Sequence, residues 1–489
     1  MSKQKLLKYL GRTIKILLFT ILICSLYIIM GALLPYAYHK TVSQDFINQF
    51  DIHDFYDFDG ISVDRAGLLE DPDEAFVERL RILSRAKERI VISSFAFKND
   101  SCCMKLFSVI LNAADNGVQV QILADGSTGF LDMQDSMLYK TLSCHTNIQI
   151  KIYNPINLLT PWTLNARMHD KYILVDDTYL ILGGRNTSSY FLGRTNLNNL
   201  SYDRDVLVYN TDAGGPRGKD SVIHQVYDYF DSVWNYQYSK TFDSKISSKN
   251  KDRYEQMQET LKQTYEQLLK DSPDIFDEDS YDYVEHTTGT NKITLISNPI
   301  EAENKEPLLW YQLSELMKSA EYRVYIHTPY AVPSHAMYQT LEELSDNLEE
   351  YDVLLNSVAV GDNFMASSDY YSAKYDLLKT GITIHEYQGD YSMHGKTVLI
   401  DDNISIIGSY NLDMRSTYMD TETMLVIHSE RFNEIVTKAV KEMEQDSLVL
   451  AEDGTYISNG QTEAVPISKS KKRIFKITSK VFRLIRNML

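Results

Sequence analysis

Three segments of this 489-residue chain occur twice, in the same order, in its two halves, and a repeat of that kind constrains the fold more than any single motif does. The first pair is KERIVISSFAF (87–97) and AEYRVYIHTPY (320–330), each a charged helix end running into a β-branched strand. The second is AADNGVQVQILAD (113–125) and LLKTGITIHEY (377–387), each a helix that stops near a glycine and resumes as an alternating strand. The third is HDKYILVDDTYLILGG (169–184) and HGKTVLIDDNISIIGS (394–409), two apolar strands around an acidic turn. Helix and strand alternate throughout, so the expected fold is an α/β duplication: two mixed sheets flanked by helices, packed about a pseudo-two-fold axis.

The rest of the chain is divided around that repeat. The expected boundaries are 1–40 for a basic segment and membrane anchor, 41–239 for the first half, 240–290 for a charged connector, 291–450 for the second half and 451–489 for a tail. No charge falls between Lys15 and His39, and at 1.5 Å per residue the apolar run 16–38 covers a hydrocarbon layer of about 30 Å. The run is long and ends without a small-x-small cleavage site, which favours an uncleaved anchor over a removed signal peptide. Lys3, Lys5, Lys8, Arg12 and Lys15 precede it while Asp45, Asp51, Asp54 and Asp57 follow. The positive side stays cytoplasmic, so the expectation is a single-pass cell-membrane protein whose catalytic region lies outside the cytoplasm. The tail places Ile474, Ile477, Val481, Ile485 and Met488 on one helical face with Lys472, Lys476, Lys480 and Arg483 elsewhere. This pattern fits a basic helix on an anionic membrane, and equally a helix packed on the body or a solvated tail.

A net charge of −18 repels polyphosphate and argues against a nucleic-acid partner. The four cysteines, Cys24, Cys102, Cys103 and Cys144, form neither a CxxC pair nor a zinc framework. Cys102 and Cys103 read as small helix residues.

The chemistry concentrates in the third repeat. Both copies contain H-x-K-x-x-x-x-D: His169, Lys171 and Asp176, then His394, Lys396 and Asp401. Residues two apart on a strand share a face, so each imidazole and its ammonium point to one spot. The following strand ends at Gly183-Gly184 or Gly408-Ser409, where small residues allow a ligand near the backbone, and presents Asn186 or Asn411. Such a set suits a phosphodiester, whose displacement needs a nucleophile, cationic stabilisation and an acid for the leaving alkoxide. One imidazole can form a phosphohistidine while the other protonates the leaving group and then activates the incoming alcohol or water. No metal and no other cofactor is expected, because two lysines and two amides take that place. Histidines buried merely as core residues are disfavoured, since a buried His-Lys pair is costly without an anion.

These motifs resemble the two-motif phospholipase D superfamily and, within it, the bacterial cardiolipin synthases, over roughly residues 75–445. The likeness rests on NARMHDKYILVD with GGRN, TPYAVPS, LNSVAVGDN and MHGKTVLIDDNISIIGSYNLDMRSTYMDTE. Asn411, Asp413, Arg415, Ser416 and Glu422 match the synthase pattern, while Asp420 stands where Asn is usual and TSSYF replaces the Gly-Asp-Glu-Tyr that typically follows GGRN. The resemblance implies a phosphatidyltransferase acting on phospholipids such as phosphatidylglycerol or phosphatidylethanolamine, with an alcohol or water as acceptor. Neither nucleic acid nor an obligate protein partner is implied. It makes His169 the nucleophile and His394 the general acid and base, an order that the pseudo-symmetric local sequence leaves open. Lys171, Lys396, Asn186 and Asn411 would hold phosphate, with Gly184 beside it and Ser409 donating a hydrogen bond. Glu422 lies where the family has the carboxylate that orients an imidazole, and Asp205 is the expected counterpart in the first half. Asp176 and Asp401 are expected to be structural turn residues. The competing readings are a phospholipase D hydrolase with the same residues, a nuclease of the superfamily, and a non-catalytic lipid-binding module.

Overall fold

The computed structural model describes residues 3–193, 200–242, 248–345, 348–482 and 486. In the first half the main strands are β1 (Asp64–Leu69), β2 (Arg89–Ser94), β3 (Gln119–Asp125), β4 (Ile148–Tyr153), β5 (Lys171–Val175), β6 (Tyr179–Gly183) and β7 (Asp205–Asn210). In the second they are β8 (Lys292–Ser297), β9 (Arg323–His327), β10 (Glu350–Asn356), β11 (Thr383–Tyr387), β12 (Thr397–Ile400), β13 (Ile404–Gly408) and β14 (Thr423–His428). The sheet orders are β1-β7-β6-β5-β2-β3-β4 and β8-β14-β13-β12-β9-β10-β11, the same permutation twice, each extended to nine strands by short edge strands. Strands β2, β3 and β4 run parallel while β5, β6, β7 and β1 alternate, and the second sheet repeats this. The expected duplicated α/β fold with two mixed sheets is the observed one.

The two sheets face each other. Val91, Leu174, Leu182 and Val206 of the first lie in one buried cluster with Tyr325, Leu399, Ile407 and Leu425 of the second, while separate clusters lie beneath the outer helices of each half. Strands covered on both sides need continuous apolar runs, and YILV in β5 and TVLI in β12 supply them. Both acidic turns place a non-glycine residue in the left-handed region, Asp176 at φ 48° and Asp401 at φ 45°, a conformation that aspartate tolerates because its side chain bonds locally. Asp176 accepts the backbone N–H of Lys87, Glu88 and Arg89 at 2.7–2.9 Å. Asp401 accepts those of Glu321, Tyr322 and Arg323 at 2.9–3.0 Å. Each motif aspartate thus ties the far end of its hairpin to the start of the neighbouring strand.

Helix α1 (Lys3–Leu33) makes up most of a stretch, Leu7–Tyr36, that is long and apolar enough to cross a membrane, with an 18-residue window of mean hydropathy 2.6 that is not buried. Residues after it pack on the second half, where Phe55 is buried in that core. The segment between the halves holds helix α2 (Lys251–Asp271), exposed along most of its length but seated by Leu261 and Leu268 in the first-half core.

The tail helix packs on the body through a face other than its aliphatic one. Helix α3 (Phe364–Leu378) receives helix α4 (Lys469–Phe482) through buried Phe475 and Ser479, with Thr478 bonded to Ser368 at 3.0 Å. Ile474 and Ile477 remain exposed. An aromatic ring that can stack on Phe364 and Tyr371 wins over the aliphatic stripe. The Val481 side chain, Arg483, Ile485 and Met488 lie outside the described residues.

Candidate active site

Both H-x-K motifs sit where β5 and β12 begin, beside the C-terminal ends of the parallel strands β2 and β9. Each is docked onto the opposite half. The His169 backbone N–H donates to the Thr421 carbonyl at 3.2 Å, and the His394 N–H donates to the Tyr202 carbonyl at 2.6 Å. The residue after each of those carbonyls supplies a carboxylate. His169 Nδ1 lies 2.9 Å from Glu422 Oε1, and His394 Nδ1 lies 2.5 Å from Asp203 Oδ2. Every histidine of the pair is therefore held by a carboxylate from the other half, which leaves Nε2 as the nitrogen available for chemistry.

Around the imidazoles the site is closed. His169 and His394 side chains keep 14% and 16% exposure, whereas Glu422 and Asp203 have none. Lys171 and Lys396 are buried, and each ammonium donates to the carbonyl of the histidine two residues before it. Lys396 Nζ also lies 2.8 Å from His394 Nδ1. Burial pushes Lys171 down to about 7, with the Lys396 charge adding to the effect and Glu422 opposing it. Burial lowers Lys396 too, against the pull of Asp203 and Glu422. Two ammonium groups buried within each other's field are poorly compensated by the protein, and an arriving anion relieves that. Asn186 and Asn411 stand at matching places, both buried, and the side-chain oxygen of each lacks a hydrogen-bond partner. An amide oxygen only accepts, so these symmetric unmet atoms suit a donor such as a ligand hydroxyl, while the amide N–H groups are what a phosphate oxygen can accept from.

The two carboxylates differ in charge. Burial alone would push Asp203 up, but the charges of Lys396 and His394 outweigh it and hold the group well below the carboxylate range. Burial pushes Glu422 up to about 7, opposed by Lys171 and by the hydroxyls of Ser409 and Ser416. His169 is driven well below its ordinary value by burial, then by Lys171, with Lys396 and His394 of the other half contributing. His394 is lowered by burial and Lys396, but Asp203 counteracts. That His169 feels both cations of the second motif places the two halves in one electrostatic site. An aromatic ring lines each imidazole: Phe95 has its centroid 5.3 Å from that of His169, and Phe191 lies 5.0 Å from His394.

Two expectations are corrected. Asp205 does not orient an imidazole; its carboxylate is taken by Arg79 at 2.8 Å and Arg185 at 3.0 Å, and Asp203 serves His394 instead. Asp203 and Asp205 are two residues apart, so alternation along an extended chain cannot choose between them. Register can. Gly183 pairs with Asp205 and Gly408 with Met424, so Asp203, two residues before Asp205, is the equivalent of Glu422. Ser409 likewise does not face an incoming phosphate: its hydroxyl donates to Glu422, and its oxygen accepts the Thr423 N–H at 3.0 Å. Gly184 stands at the matching position, where a Cβ would come 2.1 Å from Asp203 Oδ1. The small residues admit the orienting carboxylates rather than the ligand.

Ser416 and Arg415, named in the sequence without a settled role, and Arg204, which was not singled out, also contribute. Ser416 donates to Glu422 at 2.6 Å. Arg204 pairs with Glu70 at 2.7 Å and reaches across to Thr397 at 2.9 Å. Arg415 spans the halves, donating to the Asn165 carbonyl at 2.8 Å and to Asp420 at 3.0 Å, so Asp420 is a partner of a bridging arginine. Among the described residues no group of three or more His, Cys, Asp or Glu is arranged to hold a metal ion.

Comparison with known proteins agrees with this architecture. A family model described as cardiolipin synthase, PLD-like domain, matches residues 80–234 and 313–447, one match in each half. The chain is 26% identical over 423 residues to cardiolipin synthase C of Escherichia coli (strain K12), covering 78% of this chain and 84% of that one. It is 25% identical over 367 residues to cardiolipin synthase 1 of Bacillus cereus, covering 74% of this chain and 63% of the relative. An uncharacterised protein of Helicobacter pylori (strain ATCC 700392 / 26695) is 27% identical over 417 residues, with 78% and 79% covered. Among solved structures, the phosphatidylserine synthase of Haemophilus influenzae Rd KW20 superimposes with a TM-score of 0.61 at 14% identity, covering 87% of this chain and 95% of that chain, a likeness of fold.

Proposed function

Because the chain belongs to the phospholipase D-like family of cardiolipin synthase domains, a family of phospholipid-modifying enzymes, we propose that it is a membrane-bound phosphatidyltransferase working through a phosphohistidine, with cardiolipin as its product. The observation that carries this reading is the pair of reciprocal carboxylate–imidazole contacts across the halves, made chemically unequal by their surroundings. His169, held neutral, attacks phosphorus through Nε2. The bond from phosphorus to the departing glycerol or head-group oxygen breaks, and that oxygen takes a proton from His394, whose protonated form the ionised Asp203 favours against burial and Lys396. The incoming alcohol then gives its proton back to His394 as its oxygen attacks phosphorus, and the phosphorus–nitrogen bond breaks. Lys171, Lys396, Asn186 and Asn411 hold the phosphate oxygens, and the trigonal-bipyramidal charge meets two ammonium groups in a closed site. Asp203 and Glu422 act through the imidazoles as positioning residues.

The basic residues before the span put the N-terminus in the cytoplasm and the cleft on the outer side. Labelled phosphatidylglycerol and phosphatidylethanolamine, incubated with the purified full-length protein and with the His169→Ala and His394→Ala variants, test the reaction. Cardiolipin formed by the intact protein alone supports a synthase. Phosphatidic acid as the sole product makes the enzyme a hydrolase, and no lipid turnover overturns the proposal.

A further inference from the structure

The connection between β4 and β5 carries an apolar loop that the reaction does not use. Residues 153–166, YNPINLLTPWTLNA, contain no charge, and Leu158, Leu159 and Trp162 are exposed. Asn154 closes the base: at φ 44° it donates from Nδ2 to the carbonyls of Thr163 at 2.7 Å and Ala166 at 2.8 Å. The loop is a compact, closed unit of the kind that holds its own shape. It leans on helix α1. The Tyr27 hydroxyl donates to the Leu159 carbonyl at 2.8 Å, Tyr36 donates to Trp162 at 3.2 Å, and Asn165 Nδ2 donates to the Ala32 carbonyl at 2.7 Å. A Cβ on Gly31 would come 2.4 Å from the Pro161 ring, so helix and loop are in direct contact there.

Depth follows from helix geometry. Were the membrane to end below Tyr27, the charge-free part of the span would be 16–26, which is about 16 Å at 1.5 Å per residue and half of a hydrocarbon layer of about 30 Å. Tyr27 must therefore lie within the bilayer, and so must the loop that touches it. Part of the loop backbone is satisfied within the loop, which lowers the cost of that setting, where an unmet polar group is expensive. Leu159 N–H donates to Asn157 Oδ1 at 3.0 Å, Thr160 N–H to the Asn157 carbonyl at 3.2 Å and Thr163 N–H to the Thr160 carbonyl at 3.0 Å, while Pro155 and Pro161 have no N–H. The neighbouring connection after β3 leaves Phe130 and Leu131 bare at the same edge of the sheet.

We propose that the Asn154–Ala166 loop is immersed in the outer leaflet, with acyl chains as its partner, and seats the cleft at the level of the phospholipid head groups. The loop runs directly into Arg167, Met168 and His169, so its depth sets the height of the nucleophile above the membrane. The inference rests on the reading of this protein as a membrane-bound enzyme of phospholipids, and it extends that reading to how substrate reaches the site.

The test uses the full-length protein in bilayers of phosphatidylglycerol and phosphatidylcholine, with the exposed thiols removed as Cys24→Ser and Cys144→Ser; Cys102 and Cys103 are buried. A nitroxide is attached at Leu159→Cys, or at Ile61→Cys, which is as exposed (79% against 78%) but precedes β1 at the opposite edge of the sheet. The expected result is preferential relaxation by oxygen at 159 and by a water-soluble nickel chelate at 61. Equal access of the chelate to both sites overturns the proposal, and neither outcome depends on which lipid, if any, is turned over. A second measurement uses a Leu158→Asn, Leu159→Asn double variant. Turnover of bilayer phospholipid should fall about 10-fold while turnover of a short-chain monomeric phosphodiester stays unchanged, as expected for lost apolar burial. Equal loss on both substrates would make the loop a purely structural support and overturn its role.

Discussion

Asp203 and Glu422 occupy the same place in the two halves, yet one is surrounded by cations and the other by hydroxyls. Asp203 meets Lys396 and His394 with Gly184 at its back, whereas Glu422 accepts hydrogen bonds from Ser409 and Ser416. The first stays ionised throughout the working range, and the second is pushed up to about 7. A duplicated fold thus delivers two equivalent imidazoles, and their immediate neighbours make them chemically different: both are pushed toward the neutral form, but His169 is driven well below its ordinary value while Asp203 pulls His394 back toward the charged form. Division of labour between like residues needs only that difference in environment.

The largest effect should come from making the leaving group independent of an acid. With lipid substrates, His169→Ala and His394→Ala should each lower kcat by about 10⁴-fold. With a p-nitrophenyl phosphodiester, whose departing phenolate needs no proton, His394→Ala should recover the first step, seen as a burst of about one equivalent of p-nitrophenolate, while His169→Ala releases none. Recovery by His169→Ala instead would reverse the assignment. Trapping of a phosphorylated protein by rapid acid quench should follow the same division.

Next in size, Asp203→Asn should lower kcat by about 10²–10⁴-fold. Because Asp203 raises the pKa of His394, its neutralisation lowers that pKa, and the alkaline limb of the kcat profile moves to lower pH. Glu422→Gln should behave differently. The Glu422 carboxyl is charged above about 7 and neutral below it, and glutamine mimics the neutral form, so the ratio of unsubstituted to variant rate should narrow as pH falls from 8 to 6. The Asp203→Asn penalty should show no such narrowing from loss of charge on Asp203. Identical pH profiles for the two variants would remove the distinction between the halves.

A smaller effect separates Asp203 from its neighbour. Asp205→Ala leaves Arg79 and Arg185 buried without their carboxylate and should cost about 3–5 kcal/mol of stability in a urea titration, while the pH dependence of the remaining activity keeps its shape. The smallest and most symmetric effect belongs to the turns. Asp176→Ala and Asp401→Ala each strip an acceptor from three backbone N–H groups and leave a positive φ. Each should cost about 1–3 kcal/mol, equally in the two halves, because these residues lie at the far ends of the strands from the chemistry.

Much of the site was legible as pattern. His169, Lys171, His394 and Lys396 declared themselves through identical spacing in duplicated strands, and the motif aspartates through the turn chemistry around them. Asp203 was within reach as well, had the two strands been aligned on Gly183 and Gly408 rather than on their acidic residues. Ser409 could not be assigned that way, since a hydroxyl at a strand end serves a ligand or a neighbouring carboxylate equally well. The tail helix was legible as amphipathic but not as to which face docks, because Phe475 and Ser479 outweigh Ile474 and Ile477 only when Phe364 and Tyr371 are opposite them.

By itself the sequence determined the duplication, the paired imidazole and ammonium groups and the long apolar N-terminal helix, all of which are periodic or local properties of the chain; the order of the strands in each sheet was not among them. Only the tertiary structure decided which carboxylate holds which histidine, that each crosses from the other half, and that the loop before His169 lies along the apolar N-terminal helix. Those are contacts between residues up to 253 positions apart, and burial, which sets the charge on Asp203, Glu422 and both lysines, exists only once the two sheets have closed on each other.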